Sequence, residues 1–127
     1  MPKFSKATTE PMSQGPATEW RSDLDGYTSS FVSVDHDVDL TPLLQGLPGD
    51  KCPSPHWGFV FKGEMWWRYD DHEEVIGAGE AFYAPPGHTS GAHGGSEFVV
   101  FSPTEIMADV EAHMMRRAQE LFAPTEG

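Results

Sequence analysis

Cys52 is the only cysteine in 127 residues, so no internal disulfide can form, which suits a reducing compartment. Positive charge is scarce as well: 8 Lys and Arg stand against 20 Asp and Glu, a net charge of −12. Phosphate backbones and anionic membrane surfaces would be repelled, which excludes nucleic acid and lipid headgroups as expected partners. No apolar run approaches bilayer length, and the first twenty residues show no signal-type apolar segment. A cytoplasmic single domain is the expectation. Also missing are a nucleotide-binding glycine loop, a phosphate cradle and the surroundings that would make Ser54 or Ser90 a nucleophile. There are no internal repeats.

What is present reads mainly as strand. Residues 1–19 are rich in Pro, Ser, Thr and Gly and are expected to form an extended arm. "GYTSSFVSV", "HWGFVFK", "EMWWRY", "EAFYA" and "GGSEFVVFS" are short β-rich runs bounded by turn residues. "LTPLLQG" forms a helical turn that Gly46 and Pro48 stop. Only the end changes period. Ser102 and Glu105 form a capping box with Pro103 at the first helical position, predicting an amphipathic helix over 103–123. Ile106, Val110, Met114 and Leu121 form its apolar stripe, with Met107 beside it. Residues 20–102 should thus form a small antiparallel β-barrel or sandwich.

Fixed turn residues carry a family likeness. "GEAFYAPPG" places Gly79, Pro85 and Gly87 at the spacing of G-x5-P-x-G, and Gly63 stands seven residues after His56. The segment from about Gly49 to Ser102 thereby resembles a cupin, and that resemblance implies a jelly-roll-like double-stranded β-helix. His56 takes the slot where that family places a metal-binding glutamate, and its His-x-His slots fall on Asp50 and Cys52. The second-motif histidine slot is Ser90, with His88 two residues earlier on the same face of an extended chain. The family's terminal asparagine is replaced by Gly94. Its usual three-His-one-Glu set is therefore not inherited.

A different donor set is available in Cys52, His56 and His88, with Asp50 able to add an oxygen. Nitrogen and sulfur donors favour zinc among the divalent transition metals, ahead of iron, manganese, nickel or copper. Three ligands would leave an open position for water or substrate. The same residues also suit a simpler arrangement, in which the histidines hydrogen-bond at strand ends and Cys52 packs as a small apolar group.

Strand alternation turns Gly58 and Val60 inward with His56, and Trp57, Phe59 and Phe61 outward. Three outward aromatics should lie under the C-terminal helix, the N-terminal arm or a second subunit. The cupin resemblance implies a homodimer, since similar cupins are often dimers. The parity that brings His88 inward brings Phe82 and Ala84 with it. Phe82, Trp66 and Trp67 are the candidate contacts for a small organic ligand, although the residues leave open which face of the Trp66–Trp67 strand lines the interior. The function classes that remain are a small-molecule enzyme, a non-catalytic ligand-binding barrel, with or without metal, and a structural dimer. No catalytic residue is assigned. Glu97 would be an acid–base candidate if inward, whereas His36, His72 and His93 read as solvated.

Overall fold

The computed structural model describes residues 3–122. After a short 3-10 turn at Lys6–Thr8, the strands are β1 (Met12–Gln14), β2 (Ala17–Leu24), β3 (Tyr27–Val34) and β4 (Val38–Asp39). Helix α1 (Thr41–Leu44) and a 3-10 turn at Pro48–Asp50 lead into β5 (His56–Lys62), β6 (Glu64–Arg68) and β7 (Glu73–Gly77). Then come β8 (Ala81–Ala84), β9 (Thr89–Ala92), β10 (Glu97–Pro103) and α2 (Thr104–Phe122). All the strand pairs are antiparallel, in a six-stranded sheet ordered β1-β2-β3-β10-β5-β8 and a four-stranded sheet ordered β4-β9-β6-β7. No described helix is long and apolar enough to cross a membrane.

The all-β barrel with a C-terminal helix follows the sequence expectation, with differences at its edges. Strand β2 begins inside the stretch read as an arm, and β1 pairs with it, Met12 opposite Glu19. Residues 1, 2 and 123, assigned to the arm and to the helix end, lie outside the described residues.

Alternation decides the core. Val60 faces in with His56, while Met65 and Trp67 on β6 and Phe82 and Ala84 on β8 join Val34, Ala92 and Phe98. Gly58 is required by this packing: a Cβ there would stand 2.2 Å from the Val99 carbonyl oxygen and 2.6 Å from the Phe82 ring.

A second apolar cluster, Leu44, Cys52 and Val110 with Met107 and Met114 packed on it, fixes α2 against α1 and the loop before β5. The stripe predicted for α2 is therefore corrected: Ile106 and Leu121 face outward, and Met107, Val110 and Met114 face the protein. The start of α2 is corrected too. Ser102 and Pro103 lie in β10, paired with Thr28 and Tyr27, so Ser102 does not cap the helix.

Trp57 and Phe61 are exposed on the outer face of the larger sheet, 40% and 51%, with Phe59 half-buried between them. Phe4 reaches Phe31 at 5.2 Å between ring centroids, so the N-terminal segment covers one end of this face. Helix α2 lies elsewhere, lining a cavity.

Candidate functional site

Cys52, His56 and His88 come together although they lie on different elements. Cys52 precedes β5, His56 opens β5 and His88 precedes β9, and all three are buried. Their donor atoms lie within 4.8 Å of one another. Backbone bonding aligns them, because Cys52 N–H donates to the His88 carbonyl at 2.8 Å and Gly87 N–H donates to the Cys52 carbonyl at 2.8 Å.

Each imidazole is oriented by its other nitrogen. His88 Nδ1 lies 2.8 Å from the Pro85 carbonyl. A carbonyl only accepts, so the proton sits on Nδ1, leaving Nε2 a bare lone pair. That Nε2 is buried and has no hydrogen-bond partner among the described residues. His56 Nδ1 shares a 2.6 Å hydrogen bond with the Ser102 hydroxyl, and its Nε2 lies 3.6 Å from Cys52 Sγ.

The residues present fit a transition-metal ion. Metal–sulfur and metal–nitrogen bonds of about 2.3 and 2.0–2.1 Å in a tetrahedron put sulfur and nitrogen roughly 3.6 Å apart. The Cys52–His56 pair has that separation, and the unpaired His88 nitrogen supplies a third donor. Asp50 does not join them. It is exposed, and its carboxylate accepts from Gly46 N–H at 2.9 Å.

Burial sets the protonation states in the protein alone. Desolvation lowers His56 to about 3, with the neighbouring His88 adding to the effect. Desolvation lowers His88 as well and raises the Cys52 thiol. Both rings are thus neutral near pH 7, the form in which imidazole ligates.

A cavity of about 320 Å³ lies between the sheets and beneath α2. Neither His56 nor His88 lines it. Trp67 intervenes, its ring 5.3 Å from that of His56 and nearly parallel to it, and Trp67 and Ser102 both reach the cavity wall. The two imidazoles therefore converge on each other, at 5.0 Å, behind the cavity rather than in it.

Of the residues expected to touch a ligand, Trp67 lines this space. Phe82 is buried in the core, 5.4 Å from Trp67, outside the lining. Trp66 faces the opposite side of the sheet, over Gly91 and under the Arg68 guanidinium at 4.5 Å. Glu97 points away from the interior and pairs with Lys6 at 2.9 Å.

Sequence reasoning missed the charged part of the cavity. Glu19 and Arg21 project into it from β2, and Glu111 from α2. Arg21 binds both oxygens of Glu111, Nη2 reaching Oε1 at 3.0 Å and Nη1 reaching Oε2. The available signal was the alternation of Ala17, Glu19 and Arg21 with Thr18, Trp20 and Ser22 in β2.

No protein-family model matches the chain, and no curated protein matches it in sequence. Solved structures do match. An RmlC-like cupin from Shewanella frigidimarina is 19% identical and superposes over 80% of this chain and 89% of its own, with a TM-score of 0.56. The polyketide cyclase RemF from Streptomyces resistomycificus is 16% identical over 81% and 79%, at 0.58. The nucleoside dehydratase Pac13, from Streptomyces, is 16% identical over 81% and 82%, at 0.55. Likeness at this identity is likeness of fold.

Proposed function

We propose that this chain, a cupin barrel by fold, binds a small and mainly apolar organic molecule in the cavity beneath α2 and a divalent transition metal at Cys52, His56 and His88. The cavity is the observation that carries the first half. It has the size of a small ligand site, and Val32, Leu43, Met65, Trp67, Val100 and Met114 supply an apolar lining with a few convergent polar groups. The neighbours' varied activities set no reaction for this chain.

The bare His88 nitrogen and the thiol–imidazole spacing support the metal. One thiolate and two imidazoles suit zinc first, with nickel and copper closer in preference than iron or manganese. Bound there, a zinc ion would supply Lewis acidity and hold the loop before β5 to the turn before β9. His56 and His88 would be its nitrogen ligands and Ser102 would orient His56.

A second reading has a specific observation in its favour. The 3.6 Å contact also suits a Cys52 S–H donating to His56 Nε2, completing a chain through His56 to Ser102 without metal. In that case the barrel binds its ligand with no ion.

Elemental analysis of protein prepared without a metal-binding tag, followed by cobalt titration, separates the two. Thiolate-to-cobalt absorption that is absent in Cys52→Ser and His88→Gln supports the metal. Its absence in the wild-type protein leaves the metal-free reading. The cavity is tested by thermal shift against neutral ring compounds such as benzyl alcohol. Stabilisation that disappears when Val100→Phe fills the space supports ligand binding, and no stabilisation by any ring compound, neutral or charged, removes it.

A further inference from the structure

The charged lining of the cavity is unbalanced. Arg21 presents its two terminal nitrogens to Glu111, so its fork is occupied by one carboxylate. Glu19 Oε1 stands 3.5 Å from Arg21 Nη1, yet it is buried and makes no hydrogen bond among the described residues. Two carboxylates thus share one guanidinium on a wall that otherwise carries hydroxyls and hydrocarbon.

We infer that the cavity selects small apolar molecules bearing one protonated amine, with the ammonium set against Glu19 and the hydrocarbon turned towards Met65 and Trp67. This rests on the cavity reading above and specifies the chemistry of its ligand.

The charged groups are partly withdrawn from water, and burial raises the Glu19 carboxyl. A carboxylate held away from water without a full partner is costly. An ammonium brings the second positive charge, so the array becomes two against two, and it donates to the oxygen that lacks a bond. A ligand carboxylate would meet a guanidinium already taken and two like charges beside it. A neutral hydroxyl could donate a hydrogen bond to Glu19 but would leave the charge unbalanced. The net charge of −12 draws cations during encounter in the same sense.

Benzylamine, benzyl alcohol and benzoate share a ring and differ in the polar end, which makes them suitable probes. Calorimetry at low salt and neutral pH should show benzylamine binding about tenfold tighter than benzyl alcohol, with benzoate weakest. Glu19→Gln should bring the amine to within about twofold of the alcohol while leaving the alcohol unchanged. Glu105→Gln, on the exposed first turn of α2, should keep the preference.

Should Glu19→Gln fail to fold, the carboxyl carbon resonance of Glu19 in the wild-type protein gives the same answer. It should move with benzylamine and stay with benzyl alcohol. Equal binding of amine and alcohol, a preference that survives Glu19→Gln, or an unmoved Glu19 resonance would overturn the amine assignment and leave the cavity reading standing. Failure of all three probes to bind would end both.

Discussion

The Nδ1 of His56 and the hydroxyl of Ser102 stand 2.6 Å apart across 46 residues of sequence, joining the Cys/His/His cluster to the wall of the cavity. Ser102 is buried and is the hydrogen-bond partner of that nitrogen. Ser102→Ala leaves His56 Nδ1 unsatisfied. Denaturant unfolding should register a loss of about 1–3 kcal/mol. If metal is held, cobalt affinity should fall about 10–100-fold, as expected when the group that orients a ligating histidine is removed.

The pH dependence has a definite sign. His56 is lowered to about 3 in the folded protein from an ordinary 6.5, so the unfolded chain takes up a proton that the folded chain refuses. Stability attributable to His56 is present above about pH 6.5 and is lost as pH falls towards 3, and His88 acts in the same direction. Unfolding midpoints of metal-free protein should drop over that window. The difference between wild type and His56→Phe should flatten it, and an unchanged slope in the variant would assign the pH dependence to other groups.

Gly58 marks a point of close approach between β5, β10 and β8. Gly58→Ala sets a methyl against a backbone oxygen of the central strand, which cannot swing aside as a side chain does. A loss of about 3 kcal/mol or more is expected, seen as a lowered melting temperature or insoluble expression. Gly79→Ala, where nothing lies within 4 Å of the added carbon, meets only the penalty of its positive φ and should cost less.

The expected homodimer would cover the outer aromatic face. Tyr27, Trp57 and Tyr83 form a contiguous exposed row, with ring centroids 6.1 and 5.1 Å apart, and Phe61 extends the face along β5. Sedimentation should give a dimer for the wild type and a monomer for Phe61→Asp with Tyr83→Asp. A wild-type monomer at high concentration would refute this expectation.

The sequence was most legible where one periodicity ruled. His56, Gly58 and Val60 alternate with Trp57, Phe59 and Phe61, and the structure keeps that division. The pair Trp66–Trp67 was undecidable because both faces of β6 carry large side chains. Gly91 settles it by giving Trp66 a flat place to lie on the outside. "SPTE" satisfied every local rule for a helix cap, but a tertiary partner, His56, competed for the serine and β10 ran through it. The Glu19–Arg21 pair escaped notice for the opposite reason: charged residues alternate inward on β2, against the usual reading of a strand's buried face.

Trp67 has a ring that meets His56 and His88, and it also borders the cavity. The other three indoles lie outside the buried core: Trp20 beneath Lys6, Trp66 beneath Arg68 and Trp57 exposed. The molecule consequently carries a built-in fluorescent gauge, in which a single buried emitter would report ion capture on one flank and guest occupancy on the other.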